Sequence, residues 1–330
     1  MSAVPEPRVS VLLDPDWASG SLRDDVRRGL GTQPRTLPPK WLYDDVGAGL
    51  FDEITRLPDY YPTEAERSIL ASRSSEIVAA CDATTFVELG SGTSDKTRLL
   101  LDAFDGADRL RHLVLVDVAE ATLREAAADL GHRYPRSQVD AVVGDFTLHL
   151  GHLRRLPGQG SRVVGFLGST IGNLYLEERA AFLGALADSL DPGDWLLLGT
   201  DLLKPVDRIV AAYNDPEGLT AAFVRNSLRM LNRELGADFE PDAFSYVPLW
   251  DARMERMDLR LRAEMPQHVS IPGAGVELDL TSGEEIRVEI STKFRLPAIA
   301  EDLAAAGFTV TDTWTDPAQD YALTLSRLGS

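Results

Sequence analysis

From residue 63 to about residue 203 the chain alternates short, mostly apolar runs with stretches of helical period, and few folds tolerate that alternation. Residues 85–89, 112–116, 139–143, 162–167 and 195–199 each read as a strand with few polar alternates. Strands of this kind are apolar on both faces, so helices must cover both sides of a parallel sheet. The intervening helices are expected at 95–104, at 120–130 with Gly131 as a C-cap, and at 176–190 before the turn Asp191-Pro192-Gly193-Asp194. A capping box of Thr63 and Glu66 should open an earlier helix through Ile69, Leu70, Ile77 and Val78. Residues 296–306, closed by Gly307, form a last helix, and 308–314 with 321–326 read as an antiparallel hairpin on the sheet's edge. The reading is therefore an α/β protein whose mostly parallel sheet ends in an antiparallel hairpin. Residues 63–203 and 291–330 form this domain, while 1–62 and 204–290 form a smaller α+β domain facing the substrate.

In such sheets ligands bind beyond the carboxyl ends of the strands. The first strand ends in Glu88-Leu89-Gly90-Ser91-Gly92-Thr93, a two-glycine turn that lets a ligand approach the backbone closely. A dinucleotide fingerprint would place a small residue three positions after Gly92, and Asp95 stands there instead. An anionic side chain at that helix start is a poor seat for a pyrophosphate, so a phosphate-free cofactor is expected. S-adenosylmethionine, a sulfonium on an adenosine, meets that condition.

Two further strand ends supply matching chemistry. Asp117 ends the second strand, 25 residues beyond Gly92, where a carboxylate can accept from both ribose hydroxyls. Asp145-Phe146 ends the third, where an acid can accept from the adenine amino group while the ring covers the base. Each alone also reads as an ordinary loop residue; three successive strand ends of this kind together point to adenosylmethionine. Lys96 is placed to reach the cofactor's methionine carboxylate, although a lone lysine also reads as a solvated side chain. His149 and His152 have helical ligand spacing but no third ligand nearby, so no metal is expected.

With 52 acidic against 33 basic residues and a net charge of -19, nucleic acid is not the expected partner. No apolar run has the length of a membrane span and no secretory start is present, so a cytoplasmic, monomeric enzyme with a small-molecule substrate is expected.

Particular strings narrow this further. Lys40-Trp41-Leu42-Tyr43-Asp44-Asp45-Val46-Gly47, Phe51-Asp52-Glu53-Ile54-Thr55 and Leu57-Pro58-Asp59-Tyr60-Tyr61-Pro62-Thr63, with residues 88–96, 168–174 and Glu289-Ile290-Ser291, resemble the bacterial L-histidine Nα-methyltransferases of ergothioneine biosynthesis. The resemblance covers nearly the whole chain. It implies a Rossmann-like class I methyltransferase sheet and trimethylation of the α-amine of L-histidine, through mono- and dimethyl intermediates, to hercynine. It implies cofactor contacts at Tyr43, Gly90, Lys96, Asp117, Asp145 and Phe146. It also implies that Tyr60, Gly168, Asn173 and Tyr213 hold the substrate's amino and carboxylate groups, with Tyr60 and Asn173 positioning the reacting amine, and that Glu289 and Ser291 read the imidazole. The broader family includes fungal relatives acting on tryptophan-like amino acids, so an N-methyltransferase of another aromatic amino acid is the alternative, and a non-catalytic adenosine-binding protein a further one.

Overall fold

The computed structural model describes residues 6–14, 16–92, 94, 96–155 and 160–329. The chain divides into two compact units. One comprises Met1–Asp14, Pro62–Leu202 and Phe294–Ser330, the other Pro15–Tyr61 and Leu203–Lys293.

The first unit is built on an eight-stranded sheet. Its order is Arg8–Val11, Gln138–Val143, His112–Asp117, Thr85–Leu89, Arg162–Phe166, Trp195–Asp201, Tyr321–Leu328 and Phe308–Thr315. The first six run parallel and the last two antiparallel. Alternate residues of one strand feed two separate cores: Phe86, Leu113 and Leu115 pack on one face, Val87, Leu89, Val114 and Val116 on the other. That is why the runs are continuously apolar. From Thr85–Leu89 the chain winds outward in one direction and returns to Arg162–Phe166 on the opposite side of the same strand. The carboxyl ends of these two neighbours are thus a topological switch point, where an open α/β sheet leaves a crevice.

Three expectations are corrected here. Residues 8–11 belong to this sheet, because Arg8–Val11 pairs in parallel with residues 140–143. The helix Tyr61–Ala80 begins before Thr63, since Pro62 in its first turn has no N–H to leave unsatisfied, so Thr63 and Glu66 form no capping box. The helix Glu120–Arg133 runs through Gly131 and stops at Tyr134; a buried glycine in a helix costs only about 1 kcal/mol. The expected helix at 95–104 is found as Arg98–Gly106, with Asp95 and Thr93 outside the described residues.

The second unit has a four-stranded sheet in the order Arg35–Thr36, Glu285–Thr292, Arg256–Ala263 and Phe244–Asp251, plus the hairpin Gln267–Ile271 and Val276–Leu280. The helix Leu219–Leu235 buries Phe223, Val224, Leu228 and Leu231 with Met257, Leu259 and Leu261 of the sheet. Asp44 anchors the segment that carries Tyr43. Its Oδ1 accepts from the Gly47 N–H at 2.8 Å as an N-cap and from Asn226 Nδ2 at 2.6 Å, and its Oδ2 accepts from Arg233 at 2.8 Å. Asp44→Ala is expected to destabilise the protein by about 2 kcal/mol, the loss of a cap and of one buried partner. The midpoint of urea unfolding measures it, and Asp44→Asn should recover about half.

Candidate active site

In the first unit the two glycine turns sit side by side at the switch point. Gly90 takes φ +68° and Gly92 φ +47°, and the Gly90 N–H donates to the Val116 carbonyl at 2.8 Å. A Cβ built on Gly90 would lie 3.7 Å from Phe146 Cε1, so the turn borders that ring. Asp117 holds the turn: its Oδ2 accepts from the Gly92 N–H and its Oδ1 from the Ala119 N–H, both at 2.9 Å. Each oxygen keeps a second lone pair, enough for two ribose hydroxyls. Phe146 stands edge-on to Phe166 at 5.3 Å and to Phe182 at 6.0 Å. Asp145 is buried and its Oδ1 accepts from the Thr147 N–H at 2.8 Å. The donor set is acidic and backbone-rich, with a flat aromatic wall. It suits an uncharged adenosine carrying a cationic sulfonium.

Beneath the turn, Glu88 is buried and accepts from Ser94 Oγ at 2.7 Å and from Thr97 Oγ1. Burial raises its carboxyl to about 7, while the two hydroxyls and Lys96 pull the other way. Lys96 donates to Glu66 Oε2. The sequence does not mark Glu66 as a site residue, because Thr63-x-x-Glu66 imitates a capping box. It is fully buried, and its Oε1 accepts from the Gly168 N–H at 2.9 Å and from the Tyr321 hydroxyl at 2.8 Å. Gly168 and Ser169 are both left-handed, at φ +72° and +57°. Ser169 Oγ accepts from the Asp201 N–H at 2.9 Å, and Asn173 ends the short helical turn Thr170–Asn173 that follows. Glu66 therefore ties Lys96 and Gly168 together through one carboxylate.

The second unit gathers the remaining residues. Rings run in succession from Tyr43 to Phe51 at 5.3 Å, Phe51 to Tyr60 at 6.0 Å and Tyr60 to Tyr213 at 6.2 Å, each edge-on. Glu289 and Ser291 are buried on the strand Glu285–Thr292. The simple alternation of Ile286-Arg287-Val288-Glu289 would put Glu289 on the same face as Arg287. A bulge prevents that. Arg287 pairs with Arg260 but Glu289 pairs with Leu259, so Val288 is the extra residue. One added residue turns the rest of the strand over. Glu289 and Ser291 consequently share the apolar face of Leu259 and Met257, while Arg287 and Arg260 stay with the Asp258 ion pairs on the other. Lys293, two residues on and 2 % exposed, donates to Ser291 Oγ at 2.7 Å and to the Tyr213 hydroxyl at 2.8 Å. Sequence reasoning missed it, although the Glu289-x-Ser291-x-Lys293 spacing was there to be read.

Burial pushes the Glu289 carboxyl up to about 7 against the opposing pull of Lys293. Because this folded value lies above the ordinary one of 4.5, the protonated form's contribution is complete below about pH 4.5 and is lost as pH rises to about 7. Glu289→Gln cannot ionise. Its stability advantage over the parent should therefore widen by about 2 kcal/mol between pH 5.5 and 8.5, measured by urea unfolding at the two pH values.

His149 Nδ1 lies 3.1 Å from the Asp145 backbone N, and no group of three His, Cys, Asp or Glu is disposed to hold a metal among the described residues. Among them, too, no helix is long and apolar enough to cross a membrane.

The family described as histidine-specific, SAM-dependent methyltransferases matches residues 22–328. The chain belongs to this family. It is 53 % identical to the histidine N-alpha-methyltransferase of Mycolicibacterium smegmatis, over 94 % of this chain and 96 % of that one. It is 50 % identical to the protein of the same name from Mycobacterium tuberculosis, over 97 % and 99 %. Ergothioneine biosynthesis protein 1 of Schizosaccharomyces pombe is 33 % identical over 65 % of this chain and 29 % of its own length. The chain is therefore an adenosylmethionine-dependent methyltransferase, and the family's histidine specificity directs attention to the polar residues of the second unit.

Proposed function

We propose that this methyltransferase places three methyl groups on the α-amine of L-histidine, giving hercynine and so opening ergothioneine biosynthesis. The observation that carries the reading is the bulge in Glu285–Thr292, which sets the Glu289 carboxylate and the Ser291 hydroxyl on the face of Leu259 and Met257. An acceptor and a hydroxyl on one strand face match the two nitrogens of an imidazole. An indole, with one N–H and no ring acceptor, would leave one of them unpaired in a buried place.

Adenosylmethionine supplies a methyl carbon already activated by its sulfonium. In the proposed assignment Asp117 accepts from its ribose, Asp145 and Phe146 take the adenine, and Gly90 with Lys96 and Tyr43 line the remainder. What the protein adds is alignment and exclusion of water. Tyr60, Gly168, Asn173 and Tyr213 hold the substrate's amino and carboxylate groups. The amine must shed a proton before each transfer, and since an α-amino group titrates near ~8, Tyr60 and Asn173 serve as positioning groups and not as strong bases. The faces of Tyr60 and Phe51 accommodate the growing methylammonium through cation-π attraction.

Incubation with labelled adenosylmethionine and a panel of amino acids tests the reading. Label should enter histidine, and entry into tryptophan with none into histidine would replace this assignment with the aromatic-amino-acid alternative.

A further inference from the structure

We propose that Glu66 is a positioning residue for methyl transfer: one buried carboxylate sets both the ammonium that meets the cofactor and the turn that presents the acceptor, and so fixes how closely the two approach. The inference rests on the functional reading above for the roles of Lys96 and Asn173, and it adds a residue that acts through them. Its basis is where the two arms of the carboxylate end. Oε2 accepts from Lys96, just beyond the Gly90–Gly92 turn, and Oε1 accepts from the Gly168 N–H at 2.9 Å, at the head of the turn that ends in Asn173. The strands that lead into these two turns, Thr85–Leu89 and Arg162–Phe166, are neighbours in the sheet. Glu66 reaches both from the helix Tyr61–Ala80 and bridges their carboxyl ends.

A second observation shows that the sheet is shaped around this carboxylate. Gly199 is buried inside the strand Trp195–Asp201, where a glycine weakens the strand and marks a close approach. Its backbone is not left-handed, so conformation does not call for glycine. Space does: a Cβ there would lie 2.5 Å from Glu66 Oε1 and 2.6 Å from the Tyr321 hydroxyl. Burying a carboxylate is costly, and an apolar side chain of similar size would avoid that cost. What an apolar side chain cannot do is hold donors from two strand ends at one spacing. That spacing matters to the reaction, because a misplacement of about 1 Å in a displacement can cost about 100-fold in rate. Both ends need the restraint. Lys96 is a long side chain, 25 % exposed, with rotamer freedom to lose. Ser169, next to Gly168, holds φ +57°, a backbone that persists only where its surroundings enforce it. Glutamine has the size of glutamate but one acceptor oxygen, so it can serve only one end at a time.

Single-turnover kinetics on the full chain tests this, with enzyme in saturating excess over histidine, labelled adenosylmethionine saturating, and active sites counted by bound adenosylhomocysteine. Glu66→Gln should lower the methyl-transfer rate per active site by roughly 30-fold at a temperature well below unfolding. Gly199→Ala, which displaces the carboxylate but keeps its charge, should lower the same rate by roughly tenfold and keeps the test decisive if Glu66→Gln does not fold. Asp194→Ala is the structural control. It breaks a buried pair with Arg162, 2.8 Å apart, at the amino ends of the strands Arg162–Phe166 and Trp195–Asp201. It should lower the unfolding temperature and move the rate by no more than about twofold. A rate held within about twofold in Glu66→Gln or Gly199→Ala, or an equal fall in Asp194→Ala, would make Glu66 a folding residue and overturn the proposal. If the parent enzyme leaves histidine unlabelled and labels another amino acid, the functional reading fails, and the same comparison on that acceptor still decides the role of Glu66.

Discussion

Glu289→Ala is expected to lower kcat/KM for histidine by roughly 100-fold while leaving adenosylmethionine affinity unchanged. A hydrogen bond from a ligand to a buried carboxylate is worth about 1.5–3 kcal/mol, and removing the partner also leaves a buried ring N–H without its acceptor. Its cross-strand neighbours are Leu259 and, two residues on, Met257, neither of which can replace a carboxylate. Lys293 would lose a compensating charge as well, since its ammonium acts on Glu289. Turnover measured beside a direct binding assay for the cofactor separates the two effects. Asp117 and Gly90 belong to the first unit and Glu289 to the second. A parallel loss of cofactor binding would mean that Glu289 is a folding residue and not a reader of the substrate.

Glu66→Ala should unfold the enzyme at a temperature lower by about 10 °C. Three donors depend on this fully buried carboxylate: the Gly168 N–H, the Tyr321 hydroxyl and the Lys96 ammonium. Breaking a buried ion pair by removing one partner costs about 3–5 kcal/mol, and a domain of this size shifts by about 2–4 °C for each kcal/mol. The chemistry should suffer too. Gly168 and Ser169 occupy left-handed backbone, which persists only where the surroundings hold it. Freed from Glu66, the turn that leads to Asn173 loses its tether. Glu66→Gln keeps one acceptor and, through it, either the Gly168 contact or the Lys96 contact, so its Tm should fall by less than half as much. Scanning calorimetry with and without adenosylmethionine measures both variants.

How much of this was legible in the residues follows from the physics of each element. The parallel strands were readable because burial on both faces demands apolar residues at every position, as in Trp195–Asp201. Gly90, Asp117 and Phe146 were readable because strand ends in such a sheet converge, and the structure brings all three around one turn. Glu66 was misread because Thr63-x-x-Glu66 imitates a capping box, while the start of its helix was set by Tyr61-Pro62. The face of Glu289 was not readable, because a bulge is decided by how a strand pairs with its partner and not by its own alternation. Arg8–Val11 is not readable for a similar reason: a four-residue edge strand gains its identity from the 140–143 segment it joins.

The site of methylation is the most direct test of the central claim, that Glu289 and Ser291 hold the imidazole while the α-amine reacts. Fragmentation mass spectrometry of the product of histidine and adenosylmethionine should find one, then two, then three methyl groups, all on the α-nitrogen. Methyl groups on a ring nitrogen would contradict the account, since that nitrogen would then face the methyl donor and not Glu289 or Ser291.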